Sequence, residues 1–288
     1  MRIGPELIGP FMLWGVLMFH RFAATAVCTL AVASLTAPAS AVVFPSAVAP
    51  VALTGASYTQ NFNTLAASGT GSVLPAGWQV REEGQNADTA YTAGPGSDTA
   101  GTSYSFGAVG SSDRALGSLG SGTNAPIYYG GFFTNGLGAA ITTIGLTFDN
   151  EQWRRGNSSD ERVVFEYSLT ATSLTDGGWI AASAFDLLPV SATGAAGATN
   201  GNALFTTLTG TLDIADIAQG GRFAIRWTDN NSASNDYGLG IDNLSLALNT
   251  AAATPAVPEA STWAMMIGGF GLVGGALRRR RAMTVRFA

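Results

Sequence analysis

Ile144-Gly145-Leu146-Thr147-Phe148-Asp149 alternates a large apolar residue with a small or polar one, without interruption. A period of two puts Ile144, Leu146 and Phe148 on one face of a strand and leaves the other face to solvent. The same alternation returns downstream. Val163, Phe165, Tyr167 and Leu169 alternate with Val164, Glu166 and Ser168, and Phe223, Ile225 and Trp227 with Ala224 and Arg226. Leu239 to Leu246 reads as the last strand. Strands that are apolar on one side must pack face to face, which predicts two sheets around one core.

Working outward, Ser57 to Phe62 reads as a first strand after an extended lead-in from Val42 to Gly55. Leu74-Pro75-Ala76-Gly77-Trp78 reads as a turn that delivers a core tryptophan. Glu82 to Gly101 is polar and Gly-rich and is expected to be a long loop. Strands are expected from Tyr104 and from Arg114, and across the aromatic run Pro126 to Phe133. Leu212 to Ile217 could form one short helical turn, and no stretch of the body sustains helical periodicity. The expected class is all-β, an antiparallel two-sheet sandwich over 42–248, followed by a linker at 249–257.

Glycine accounts for 37 of 288 residues, and β-branched and aromatic residues are plentiful beside it. That combination suits short strands joined by tight turns better than disorder. Residues 42–257 contain 17 acidic residues and 7 arginines, a net charge of about −10 that would repel nucleic acid and anionic lipid.

Both ends carry targeting features. Met18-Phe19-His20-Arg21 is a short basic start, Phe22 to Leu35 is apolar, and Ala39-Ser40-Ala41 is an A-x-A cleavage site. This reads as a signal peptide within 1–41, either with a long n-region or, the favoured reading, with translation starting at Met18, and with a mature chain starting at Val42. The only cysteine, Cys28, and the only histidine, His20, fall inside it, and the chain has no lysine. A mature chain without Cys or His has no disulfide, no Ser-His or Cys-His nucleophile and no His/Cys zinc site. At the other end, an uncharged apolar run from Trp263 to Leu277 is closed by four arginines, Arg278 to Arg281. Fifteen helical residues span about 22 Å, short of a bilayer core of about 30 Å. A buried helix of a soluble core is the alternative that this length leaves open. Its five glycines and the basic stop favour a membrane helix, with 282–288 as a cytoplasmic tail.

The segment 258–281 resembles the PEP-CTERM sorting signal, in the subtype P-E-P-x-x-W-A. Pro258, Glu259, Trp263, Ala264 and the arginines Arg278, Arg279, Arg280 and Arg281 sit at that family's spacing, while the second proline of the triplet is Ala260 here. The resemblance implies export through the inner membrane, a membrane-anchored intermediate and an exosortase as processing partner. Release to the cell envelope or the extracellular polysaccharide would follow. The body also resembles a lectin-like jelly-roll module of exported bacterial proteins. The order of Tyr104-Ser105-Phe106-Gly107, Arg114-Ala115-Leu116-Gly117, Glu151-Gln152-Trp153-Arg154, Phe165-Glu166-Tyr167-Ser168, Arg226-Trp227-Thr228-Asp229 and Gly238 to Asn243 carries that likeness. It implies a jelly roll and no defined activity.

Three constellations could carry chemistry. Glu151, Glu166, Asp149 and Asp160 are the acids that could serve a carboxylate-only glycan hydrolase or lyase. The E-x-D-x-x-E pattern of jelly-roll glucanases is absent, and solvation or pairing with arginine is the favoured reading of the same acids. Trp153 and Arg154 could stack on and hydrogen-bond a sugar, or cap the core and pair with Glu151 or Asp149. Asp229, Asp236 and Asp242 offer oxygens to a structural calcium, with Asn61 or Asn63 as helpers, or shape Asx turns. Calcium is the only cofactor these residues invite. The expected function is a non-enzymatic exported protein associated with exopolysaccharide. A carbohydrate-binding module and a glycan hydrolase or lyase are the alternatives.

Overall fold

In a computed structural model, residues 42–44, 49–251 and 260–280 are described. The chain divides into two units, Met1–Pro38 and Ala39–Ala288, and every described residue lies in the second. The signal-peptide reading, Pro258, Glu259 and Arg281 lie outside the described residues.

Among the described residues, sixteen strands, a 3-10 turn at Ser183–Phe185 and one long helix are present. The first group is β1 (Val42–Phe44), β2 (Val51–Leu53), β3 (Ser57–Gln60), β4 (Thr70–Gly71), β5 (Trp78–Gly84), β6 (Tyr91–Gly94), β7 (Thr102–Phe106) and β8 (Ala115–Leu119). The second is β9 (Asn124–Asn135), β10 (Ile141–Arg155), β11 (Val163–Ser168), β12 (Ile180–Ala181), β13 (Gly197–Ala198), β14 (Phe205–Leu212), β15 (Arg222–Asp229) and β16 (Gly238–Thr250). The helix α1 is Ala260–Arg280.

They form two sheets. One runs β1-β5-β9-β15-β11-β12, with β2 also on β9, and the other runs β13-β10-β16-β8-β7-β6-β4, with β14 on β10 and β3 on β16. The expected all-β, two-sheet architecture is therefore present. Pairing is antiparallel except for β2 with β9 and β6 with β7, which are parallel.

The alternating run lies in β10, where Ile144, Leu146 and Phe148 are fully buried. From the other sheet, Phe165 on β11 and Trp227 on β15 meet it. The Trp227 ring is edge-on to Phe148 and to Phe165, each at 5.1 Å, and stacks on Trp78 at 6.4 Å. The tryptophan expected from the turn at 74–78 is thus a core residue. Burial of these aromatics from both layers is the main force holding the sheets together.

The structure departs from the sequence reading at several elements. The stretch 82–101 is not one loop, because β5 runs to Gly84 and Tyr91–Gly94 forms β6. Residues 212–217 are not helical. Leu212 ends β14 and Ile217 bridges to Ile141. The lead-in contains β1 and β2, and β16 continues to Thr250, past the expected end at 248.

Candidate functional site

Helix α1 is longer than the apolar run. Its 21 residues span about 31 Å, which matches a bilayer core. The stretch Ala260–Arg279 is long and apolar enough to cross a membrane, and none of it is buried against the protein. Trp263, Met265, Ile267, Phe270 and Leu272 are all exposed. A continuous apolar surface of this kind needs a cover that water does not supply. Arg278 and Arg279 are exposed in its last turn, where cations also complement the helix dipole.

The second candidate lies in the body. Trp153 and Arg154 are adjacent on β10, yet the structure separates their environments. Trp153 is 1% exposed and stacks parallel to Phe106 at 6.3 Å in a small cluster with Tyr104, Ala115 and Leu119. Its Nε1 donates to Glu151 Oε2 at 2.7 Å. A Cβ added at Gly201 would come within 2.3 Å of the Trp153 ring, so a backbone covers it. Trp153 is therefore a core residue and offers no face to a sugar, which corrects the stacking role considered for it. Arg154 is half-buried and donates to the carbonyls of Gly96 and Ser97 at 3.1 and 3.2 Å. It pairs with neither Glu151 nor Asp149. It lines a polar depression of ≈ 200 Å³ together with Thr99, Ser121, Asn231, Asn235 and Asp236.

The remaining acids are held singly. Glu166 forms a 2.7 Å ion pair with Arg226, whose guanidinium lies over the Trp179 ring. Asp149 accepts from Thr207 Oγ1 and Asn243 Nδ2, and Asp160 from Ser158 Oγ.

The three aspartates considered for calcium do not converge. Asp242, on β16, is buried, and its carboxyl is pushed up to about 8 by burial first and then by Glu151, Asp113 and Asp149. Asn63 Oδ1 is engaged elsewhere, accepting from the Arg114 N–H. Asp229 and Asp236 belong to a separate cluster. Asp229 ends β15, is completely buried, and accepts from Ser118 Oγ on the other sheet at 2.6 Å. Asp236 precedes β16 and is 5% exposed. Burial first, then Asp236, raises Asp229 to about 7, while burial and then Asp160 raise Asp236 to about 6. Glu161, just before β11, joins them. Its carboxyl is raised to about 8 by burial first, then by Asp229. Nothing in the sequence singles out Glu161, which reads as one more acid in a polar loop. Among the described residues, no group of three or more His, Cys, Asp or Glu is arranged to hold a metal ion.

The chain carries a PEP-CTERM protein-sorting motif, which matches residues 256–281. No curated protein matches the chain. Among solved structures, it is similar to the K1 cleaved adhesin domain of Lys-gingipain from Porphyromonas gingivalis. That likeness has 14% identity over 68% of this chain and 99% of that one, with a TM-score of 0.35. The K2 cleaved adhesin domain of Lys-gingipain is similar at 15% identity over 67% of this chain and 99% of that one, TM-score 0.37. The CBM22-1 xylan-binding domain of Xyn10C from Paenibacillus barcinonensis is similar at 9% identity over 68% of this chain and 95% of that one, TM-score 0.27.

Proposed function

We propose that this protein is an exported surface protein with no catalytic activity of its own, held transiently in the inner membrane by α1. An exosortase-type membrane enzyme processes the tail, and the acidic β body is then released to the envelope or to extracellular polysaccharide. One coincidence supports this reading most. The sorting motif at 256–281 falls on the one described helix that is apolar, uncovered and closed by arginines. In this account the arginine block stays cytoplasmic, because moving four guanidinium groups through the bilayer is costly. Replacing Arg278, Arg279, Arg280 and Arg281 by alanine tests it. The variant is expected to lose its membrane-bound intermediate on cell fractionation, and unchanged fractionation and processing would contradict the anchor.

A second reading, a carbohydrate-binding module, is favoured by the depression beside Arg154. Hydroxyl, amide, carboxylate and guanidinium groups line it, and such groups suit sugar hydroxyls. Binding there would rest on hydrogen bonds and not on stacking by Trp153. A glycan array separates this reading from the first, and turnover of exopolysaccharide would contradict the absence of catalysis.

A further inference from the structure

Asp229, Asp236 and Glu161 are each at least 95% buried, and no arginine pairs with any of them among the described ion pairs. Each also has one oxygen without a hydrogen-bond partner: Asp229 Oδ1, Asp236 Oδ1 and Glu161 Oε1. Buried charges are ordinarily paired or bound to a metal. Tyr129, a residue on β9 with no exposure, lies beside the same group, where Ser118, Asp229 and Glu161 act on its hydroxyl.

The backbone closes on the same place. At Gly120, the position a Cβ would take lies 2.7 Å from Asp236 Oδ2, 3.1 Å from Asp229 Oδ1 and 3.3 Å from the Asn230 carbonyl oxygen. Three oxygens from β15 and the following loop thus converge on one backbone position that has no side chain. Gly120 and Asp236 also line the polar depression, which gives solvent a path to the cluster.

We propose that Asp229, Asp236 and the Asn230 carbonyl form a calcium site behind Gly120, distinct from Asp242. Two carboxylates, a main-chain carbonyl and waters entering from the depression are the hard oxygen set that calcium accepts in irregular geometry. Glu161, whose carboxyl burial raises to about 8, lies close enough to Asp229 for the two to interact. The set is not a carboxylate triad, in keeping with the absence of one among the described residues. The ion would tie the end of β15 to the loop before β16, and through Ser118 to the opposite sheet.

The test is thermal unfolding of the exported chain, purified in detergent, in calcium chloride and in chelator. A ligand that binds only the native state at a hundredfold excess over Kd should raise Tm by roughly 5–10 °C. Asp236→Asn should abolish that rise. It should also melt higher than wild type in chelator, since it removes one of the mutually repelling charges. Asp229→Asn should likewise lose the response, and Asp242→Asn should keep it. Superimposed wild-type curves, a rise that survives Asp236→Asn, or a rise lost only in Asp242→Asn would each overturn the site.

Discussion

The indole Nε1 of Trp153 donates a 2.7 Å hydrogen bond to Oε2 of Glu151, and both side chains are more than nine-tenths buried. The pair lies two residues apart on β10, so its members point to the same side. A tryptophan that exposed a ring to ligand would not need a buried acid to satisfy its N–H. The relationship turns what reads as a sugar-binding dipeptide into part of the packing.

That pair sets a pH dependence. Burial first, opposed by the Trp153 hydrogen bond and reinforced by Asp113 and Asp149, raises the Glu151 carboxyl to about 7, against 4.5 unperturbed. Between those values the native state holds a proton that the unfolded chain has lost. The contribution is therefore full below pH 4.5 and is lost as pH rises towards 7, a change on the order of 3 kcal/mol. Glu151→Gln keeps an acceptor for Trp153 and cannot ionise. In denaturant titrations it is expected to match wild type near pH 4 and to exceed it at pH 8. A variant less stable than wild type at both would contradict the buried-acid account.

Glu82 is predicted to be among the least replaceable acids. It is fully buried. Its Oε1 accepts from Thr102 Oγ1, Ser103 N and Ser103 Oγ, and its Oε2 from Asn124 Nδ2 and Asp88 N. These donors tie β5 in one sheet to β7 in the other. Glu82→Gln turns an amide NH₂ towards a site built of donors and is expected to cost about 2–3 kcal/mol. Chemical unfolding of the variant measures this, and a loss below experimental error would mean that the network carries no stability.

In the core, Trp227 touches Trp78, Tyr129, Phe148 and Phe165. Trp227→Ala should destabilise by about 3–5 kcal/mol, read as a lower denaturant midpoint with little change in slope. Gly201→Ala, which drives a methyl into the Trp153 ring, should cost about 1–3 kcal/mol.

How much of this was legible differs by element. The alternation at 144–149, 163–169 and 223–227 identified three central strands, because each has one face on the core. Tyr91–Gly94 was not legible, because four residues with two small members carry no period and gain their place by pairing with β7. Leu212 to Ile217 looked helical only because its apolar residues fall at wide spacing, and the bridge to Ile141 keeps them extended. At β10 the period itself misleads. Asn150 and Gln152 share parity with Phe148 and are buried as it is, but as polar groups that donate to the carbonyls of Leu188 and Ser191, while Glu151 and Trp153, on the opposite parity, are buried too. A polar residue there signals a covering segment, and sequence cannot show which segment covers it. The sorting motif was legible in full, since its order of polar entry, apolar run and arginines depends on no tertiary contact.

The most direct test of the account is the intact mass of the exported protein from cells with and without an active exosortase-type enzyme. With the enzyme, the protein is expected to begin at Val42, to lack the apolar stretch of α1 and to leave the membrane fraction. Without it, the same start with an intact C-terminus in the membrane fraction is expected. An intact C-terminus and identical fractionation in both backgrounds would contradict the sorting function.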